Sequence, residues 1–163
     1  MIVIVMGVTG SGKTTVGTRL AELLNYEFFD ADWFHSQANI DKMNYGIPLD
    51  DADRLPWLKS LQHAIAQWLD ENKNVVLACS GLKAAYRQFL HCDRKQIQLI
   101  YLKGNADLIA QRLNKRQNHF MDKALLQSQL DALEEPTVEE SIWIEISDSP
   151  DAIAQAIKNR LKV

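Results

Sequence analysis

The chain has 163 residues, 47% of them hydrophobic, and a formal net charge of −3, which suits one globular domain with a sizeable core, here taken as 1–163. The negative balance argues against a nonspecific nucleic-acid binder, which needs a basic excess. No apolar run approaches the roughly 20 residues of a membrane-spanning helix, so no membrane association is expected. The opening MIVIVM is too short and lacks the basic start of a signal sequence. Cys79 and Cys92 have neither metal spacing nor the number for a disulfide framework. A cytoplasmic protein with two structural thiols is therefore expected.

The first predicted element is the β-branched run IVIVM at 2–6, read as a strand. It leads directly into GVTGSGKTT, residues 7–15, which fits GxxxxGK[ST] at Gly7, Gly12, Lys13 and Thr14. Gly7, Gly10 and Gly12 allow a tight turn whose N–H groups converge on phosphate oxygens, with Val8, Thr9, Ser11 and Thr15 completing the loop. Lys13 adds a full positive charge, and the Thr14 hydroxyl can ligate Mg²⁺. Val16, Leu20, Leu23 and Leu24 have helical spacing, so a helix beginning near residue 13 aims its unpaired N–H groups at the same phosphates. This arrangement predicts a nucleotide site for ATP and Mg²⁺.

A second strand, YEFF near 26–29, runs into DADWFH. Asp30 and Asp32 lie two apart, so an extended backbone puts both carboxylates on one side, where they can face a metal and a nucleophile. An alternative is that one of them caps the next helix. Residues 31–53 break the strand–helix alternation and are expected to form a mobile cover or substrate lobe, flanked by Trp33 and Trp57. Helical spacing returns over 54–70 at Leu58, Leu61, Ile65, Trp68 and Leu69. Strands VVLAC at 75–79, IQLIYL at 97–102 and SIWIEI at 141–146 follow, with helices over 105–116 and 151–161. The polar stretch 114–123 is a second candidate cover. The alternation predicts an α/β fold with a five-stranded, mostly parallel sheet, whose ligands bind outside the carboxyl ends of the strands.

Arg54, Lys83, Arg87, Arg112, Arg116 and Lys42 form a basic set. Lys83 with Arg87, and Arg112 with Arg116, are spaced by four and share a face if helical, which suits either an anion clamp or a solvated surface. His35, His63, His91 and His119 show no HxxxH pairing, so no zinc site is expected.

GVTGSGKT, FFDADWFHSQANIDKMNYGIPLDDADRLPWL, ACSGLKAAYRQFL, IYLKG, RLNKRQNHFM and ALEEP at 132–136, taken together and in order, closely resemble the gluconate kinase (gluconokinase) family. The middle segment is the most specific. Shikimate kinase and adenylate kinase are wider relatives sharing the loop and the layered fold. The resemblance implies a P-loop kinase fold with a small substrate lobe at about 31–53 and a short lid at about 114–123. It also implies ATP-dependent phosphorylation of the 6-hydroxyl of D-gluconate to 6-phosphogluconate and ADP. Residues 7–14 would hold the ATP phosphates and Mg²⁺, with Thr14 and Asp30 at the metal and Asp32 at the reacting hydroxyl. His35, Arg54, Lys83 and Arg87 would line the acceptor pocket, Arg116 would reach the transferred phosphoryl, and Arg112 would lie nearer the adenine. A homodimer is a further implication. Gly81 and the Ala84-Ala85 pair depart from some relatives without removing a charged contact. The rival readings are a nucleotide-dependent switch, for which no NKxD-like guanine reader occurs, and a kinase for shikimate, a nucleoside monophosphate or another sugar acid.

Overall fold

The computed structural model describes residues 1–90, 94–114, 119–161 and 163, the side chains of 119–123 apart. Five strands, β1 (Ile2–Met6), β2 (Glu27–Asp30), β3 (Val75–Ala78), β4 (Ile97–Lys103) and β5 (Ser141–Glu145), form one sheet in the order β2-β3-β1-β4-β5. Every pairing is parallel. The helices are α1 (Lys13–Leu24), α2 (Gln37–Asn44), α3 (Asp51–Asp70), α4 (Ala84–Phe89), α5 (Ala106–Asn114), α6 (His119–Ala132) and α7 (Pro150–Arg160), with a short 3-10 helix at Ala31–Phe34.

β1 is buried along its whole length, as expected for a central strand covered on both faces. Its alternate residues feed two cores. Val3 and Val5 join Val76, Val16 and Leu20 of α1 and Ile153 and Ile157 of α7. Ile2, Ile4 and Met6 join Val75, Leu77 and the α3 residues Trp57, Leu61, Ile65 and Trp68. Among the described residues, no helix is long and apolar enough to cross a membrane.

Residues 31–53, which break the strand–helix alternation in the sequence, are largely helical. The Ser36 hydroxyl accepts from Asn39 N–H (3.2 Å) and starts α2. Asp50 and Asp53 form a reciprocal capping box, with Asp53 N–H donating to Asp50 Oδ1 (2.7 Å) and Asp50 N–H to Asp53 Oδ2 (3.1 Å). α3 therefore begins at Asp51, three residues before its hydrophobic periodicity is apparent. Lys42 Nζ donates to both oxygens of Asp53 (3.1 and 3.0 Å), and Asn39 Nδ2 donates to Asp53 O (2.8 Å). The polar residues of the NIDKM and DDADR runs thus lock α2 onto α3.

Register aligns the site. Asp30 pairs with Ala78, and Ala78 with Val5, so β2 ends level with the start of the glycine-rich loop.

Candidate active site

The loop after β1 turns into α1 through Gly12 at φ 94°, a left-handed conformation that disfavours a side chain. Gly10, at φ 78°, packs under α5: an added Cβ would lie 2.9 Å from side-chain atoms of both Ile109 and Leu113. Because α1 starts at Lys13, the N–H groups of its first turn lack intrahelical acceptors and point, with the helix dipole, into the space above the loop. Lys13 Nζ donates to Val8 O (3.1 Å) and lines the same space.

That space is a cleft of about 850 Å³ at the carboxyl edge of the sheet. Thr9, Gly10, Gly12, Lys13, Thr14 and Thr15 form one side of it, and Asp30, Asp32, His35 and Arg54 also line it. Gly7, Val8 and Ser11 are buried beneath the loop surface and support it. Thr14 Oγ1 donates to Asp30 Oδ2 (2.9 Å), while Asp30 Oδ1 accepts from Asp32 N–H (2.9 Å). Asp30 is therefore both a cap for the 3-10 helix and a partner of the loop threonine. A hydroxyl beside a carboxylate is a hard oxygen pair that suits Mg²⁺, which takes one or two protein carboxylates and completes its shell with phosphates and water. Among the described residues no group of three or more His, Cys, Asp or Glu could hold a metal.

Asp32 projects into the cleft. Surrounding protein and the neighbouring Asp30 raise its pKa above the usual aspartate value, and Lys13 opposes the rise. His35 is packed differently: its side chain is only 4% exposed, and its ring stacks on Trp57 at 4.5 Å and 8°. Burial, reinforced by the Arg54 charge, lowers its pKa to about 4, so the imidazole is neutral at pH 7. Trp57 Nε1 in turn donates to Ala31 O (2.7 Å), pinning the backbone between the two aspartates.

The basic set separates. Arg54 lines the cleft and donates from Nη1 to Tyr86 Oη (3.2 Å). Lys83 and Arg87, expected in the acceptor pocket, are not on the cleft wall. Lys83 precedes α4 and donates to Asp51 Oδ1 (3.0 Å), which also accepts a short hydrogen bond from the Tyr86 hydroxyl. The Tyr86 and Lys83 hydrogen bonds hold the Asp51 pKa low, and the Asp51 partnership raises that of Lys83. Arg87 is 6% exposed and folds back on the carbonyls of Gly81 (2.7 Å) and Leu82. The four-residue spacing does not make a clamp because Lys83 is outside the helix and Arg87 faces inward. Arg112 donates from Nη2 to Ile146 O (2.5 Å), just beyond β5, and its Nη1 approaches the Gly12 side of the loop. Lys42 serves Asp53, and Arg116 lies outside the described residues.

Several contributors carried no sequence signal of their own. Gln129 of α6 accepts from Thr9 N–H through Oε1 (2.6 Å), joining that helix to the phosphate loop. Glu134 and Glu135 of the ALEEP run hold Ala84 N–H (3.1 Å) and Lys103 Nζ (2.6 Å) respectively, fixing the starts and ends of neighbouring elements. Ile40, Met43, Pro48 and Leu49 supply an apolar wall to the cleft. Only their place in the quoted motif run pointed to them.

Comparisons with known proteins place the chain among kinases. A family model described as shikimate kinase matches residues 9–162. A probable gluconokinase of Dictyostelium discoideum is 43% identical over 173 residues, covering 99% of this chain and 86% of the relative. A sugar kinase from Janibacter sp. HTCC2649 superposes with a TM-score of 0.88 at 40% identity, covering 97% of this chain and 92% of that one. A gluconokinase from Sinorhizobium meliloti 1021 does so with a TM-score of 0.82 at 37% identity, covering 94% and 86%. With the loop, the paired aspartates and the anchored α2–α3 lobe all present, the chain belongs to the gluconokinase family of P-loop kinases.

Proposed function

We propose that this protein transfers the γ-phosphoryl group of ATP to the 6-hydroxyl of D-gluconate, giving 6-phosphogluconate and ADP. The observation that carries the reading is the single cleft in which Lys13 and Thr14 face Asp32, His35 and Arg54. Phosphoryl transfer requires little covalent chemistry from a protein; it requires the phosphates held, the acceptor aligned and the spreading charge met by fixed opposite charge. The loop N–H groups and Lys13 hold the phosphates, and Asp32 accepts the hydrogen bond of the attacking hydroxyl and then its proton. The raised pKa of Asp32 suits that role, since a stronger base takes the proton more readily. Thr14 and Asp30 would hold Mg²⁺, which supplies charge neutralisation on the bound phosphates.

Arg54 lines the cleft beside Asp32 and His35, and its planar fork suits a carboxylate. We place the substrate lobe at 31–53 of one catalytic domain; the lid expected at about 114–123 includes residues 115–118, which lie outside the described residues. We read the enzyme as cytoplasmic and as a possible homodimer. The test is ADP release from ATP and Mg²⁺ with gluconate, shikimate, AMP or water alone. A gluconate-dependent signal is expected. Equal release without an acceptor would point to a hydrolysing switch, and preference for shikimate would overturn the acceptor assignment.

A further inference from the structure

Asn39 is 6% exposed, one of few buried polar side chains among the described residues. Its Nδ2 lies 2.8 Å from Asp53 O and 3.2 Å from His35 Nδ1. A backbone carbonyl can only accept, so the atom facing Asp53 is the amide nitrogen, whichever way the side chain is first drawn. That nitrogen has two hydrogens. One goes to Asp53 O, and the other is aimed at His35 Nδ1, which must then be a lone-pair acceptor.

We infer that Asn39 is a positioning residue that holds His35 as its Nε2–H tautomer, giving the cleft one fixed hydrogen-bond donor beside the Asp32 carboxylate. The other ring contacts agree. Trp57 stacks on the imidazole face and sets its plane without contributing an acceptor. His35 Nε2 lies 4.0 Å from Asp32 Oδ1, close enough to share one bound hydroxyl and too far for a direct hydrogen bond. A polyol oxygen between them can accept from Nε2–H while donating to Asp32. With the opposite tautomer both neighbours would be acceptors, and the same oxygen could satisfy only one with its proton. The arrangement therefore selects a hydroxyl, which can give and receive, over an ether or carbonyl oxygen at this position. This rests on the acceptor reading above only for the identity of the hydroxyl-bearing substrate.

The test uses full-length protein with ¹⁵N-labelled histidine and long-range ¹H–¹⁵N correlation, the His35 signals being assigned by their loss in His35→Gln. The wild type without substrate is expected to show a protonated Nε2 and an unprotonated Nδ1. Asn39→Asp, which offers Nδ1 an acceptor, should move the proton to Nδ1 or charge the ring. It should also raise the acceptor KM about 10-fold, the worth of one hydrogen bond, with ATP KM little changed. Lys42→Met loosens the same α2–α3 contact without touching His35 and should leave the tautomer in place. A protonated Nδ1 in the wild type would overturn the inference, whether or not the variants fold. So would an equal rise in acceptor KM for Asn39→Asp and Lys42→Met. Failure to phosphorylate gluconate by a wild type with protonated Nε2 would overturn the reaction and leave the Asn39–His35 assignment standing.

Discussion

Trp57→Phe removes a single N–H and one ring, yet the position of that N–H makes it a test of how the site is built. Trp57 is 4% exposed, and its Nε1 is the donor to Ala31 O, the carbonyl between Asp30 and Asp32. Phenylalanine removes that hydrogen bond and leaves the carbonyl only its partner within the 3-10 helix, at a cost of about 1 kcal/mol. The void left by the smaller ring adds roughly 1 kcal/mol. The sum of about 2 kcal/mol corresponds to a fall in Tm of about 4–8 °C for a domain of this size. The same change releases the backbone that sets Asp32 and removes the indole against which His35 stacks at 4.5 Å. Because a misplacement of about 1 Å can cost on the order of 10²-fold in rate, kcat should fall by about 10-fold or more. Nucleotide affinity should hold, since the phosphate loop is built on β1 and α1. Thermal denaturation followed by circular dichroism, with steady-state kinetics varying ATP and gluconate separately, measures both effects. A variant melting within a degree of wild type with unchanged kcat would refute the role given to this hydrogen bond.

Lys13→Ala should leave the melting curve near wild type and cut turnover about 10²–10³-fold, as expected for a preorganised charge on the transferring phosphoryl; near-normal turnover would remove the loop assignment. Asp32→Asn should lower kcat by about 10²-fold, the low end for a general base because a loose transition state needs little early proton removal, with ATP affinity retained. Loss of ATP affinity with kcat intact would make it a metal-site residue. Wild type should prefer gluconate to glucitol by about 10³-fold in kcat/KM. Arg54→Ala should shrink that ratio by harming gluconate, whereas Arg87→Ala, removing a buried guanidinium from two carbonyls, should lower Tm and leave the ratio alone; competition between the two polyols on all three proteins decides it. His35 carries the pH dependence. Its folded pKa of about 4 lies below the ordinary 6.5, so between those values the unfolded chain binds the proton first and stability falls as pH drops. Urea melts across that window should show a shallower slope for His35→Gln.

The phosphate loop and the alternation of strands and helices were legible in the sequence because both are local. A glycine at a left-handed φ, a lysine after it and a β-branched run before it act within a few residues of one another, and β1 is apolar on both faces whatever its neighbours are. The order of the strands, by contrast, depends on which edge each crossover reaches, and the register that sets Asp30 level with Val5 exists only once β3 lies between them. The basic residues divide the two kinds of information most clearly. Spacing put Lys83 and Arg87 on one face, but the chain left of the helix start carries Lys83 to Asp51, 32 residues away, and packing turns Arg87 inward. Asp53 and Asn39 read as ordinary polar residues until α2 folds onto α3, when Asp53 acquires Lys42 and Asn39 as partners 11 and 14 residues distant. Sequence by itself determined which chemical groups are available and which local turns they take. Tertiary structure alone decided which charges are spent on other residues and which face the cleft, because a hydrogen bond or ion pair satisfied within the fold is no longer offered to a ligand.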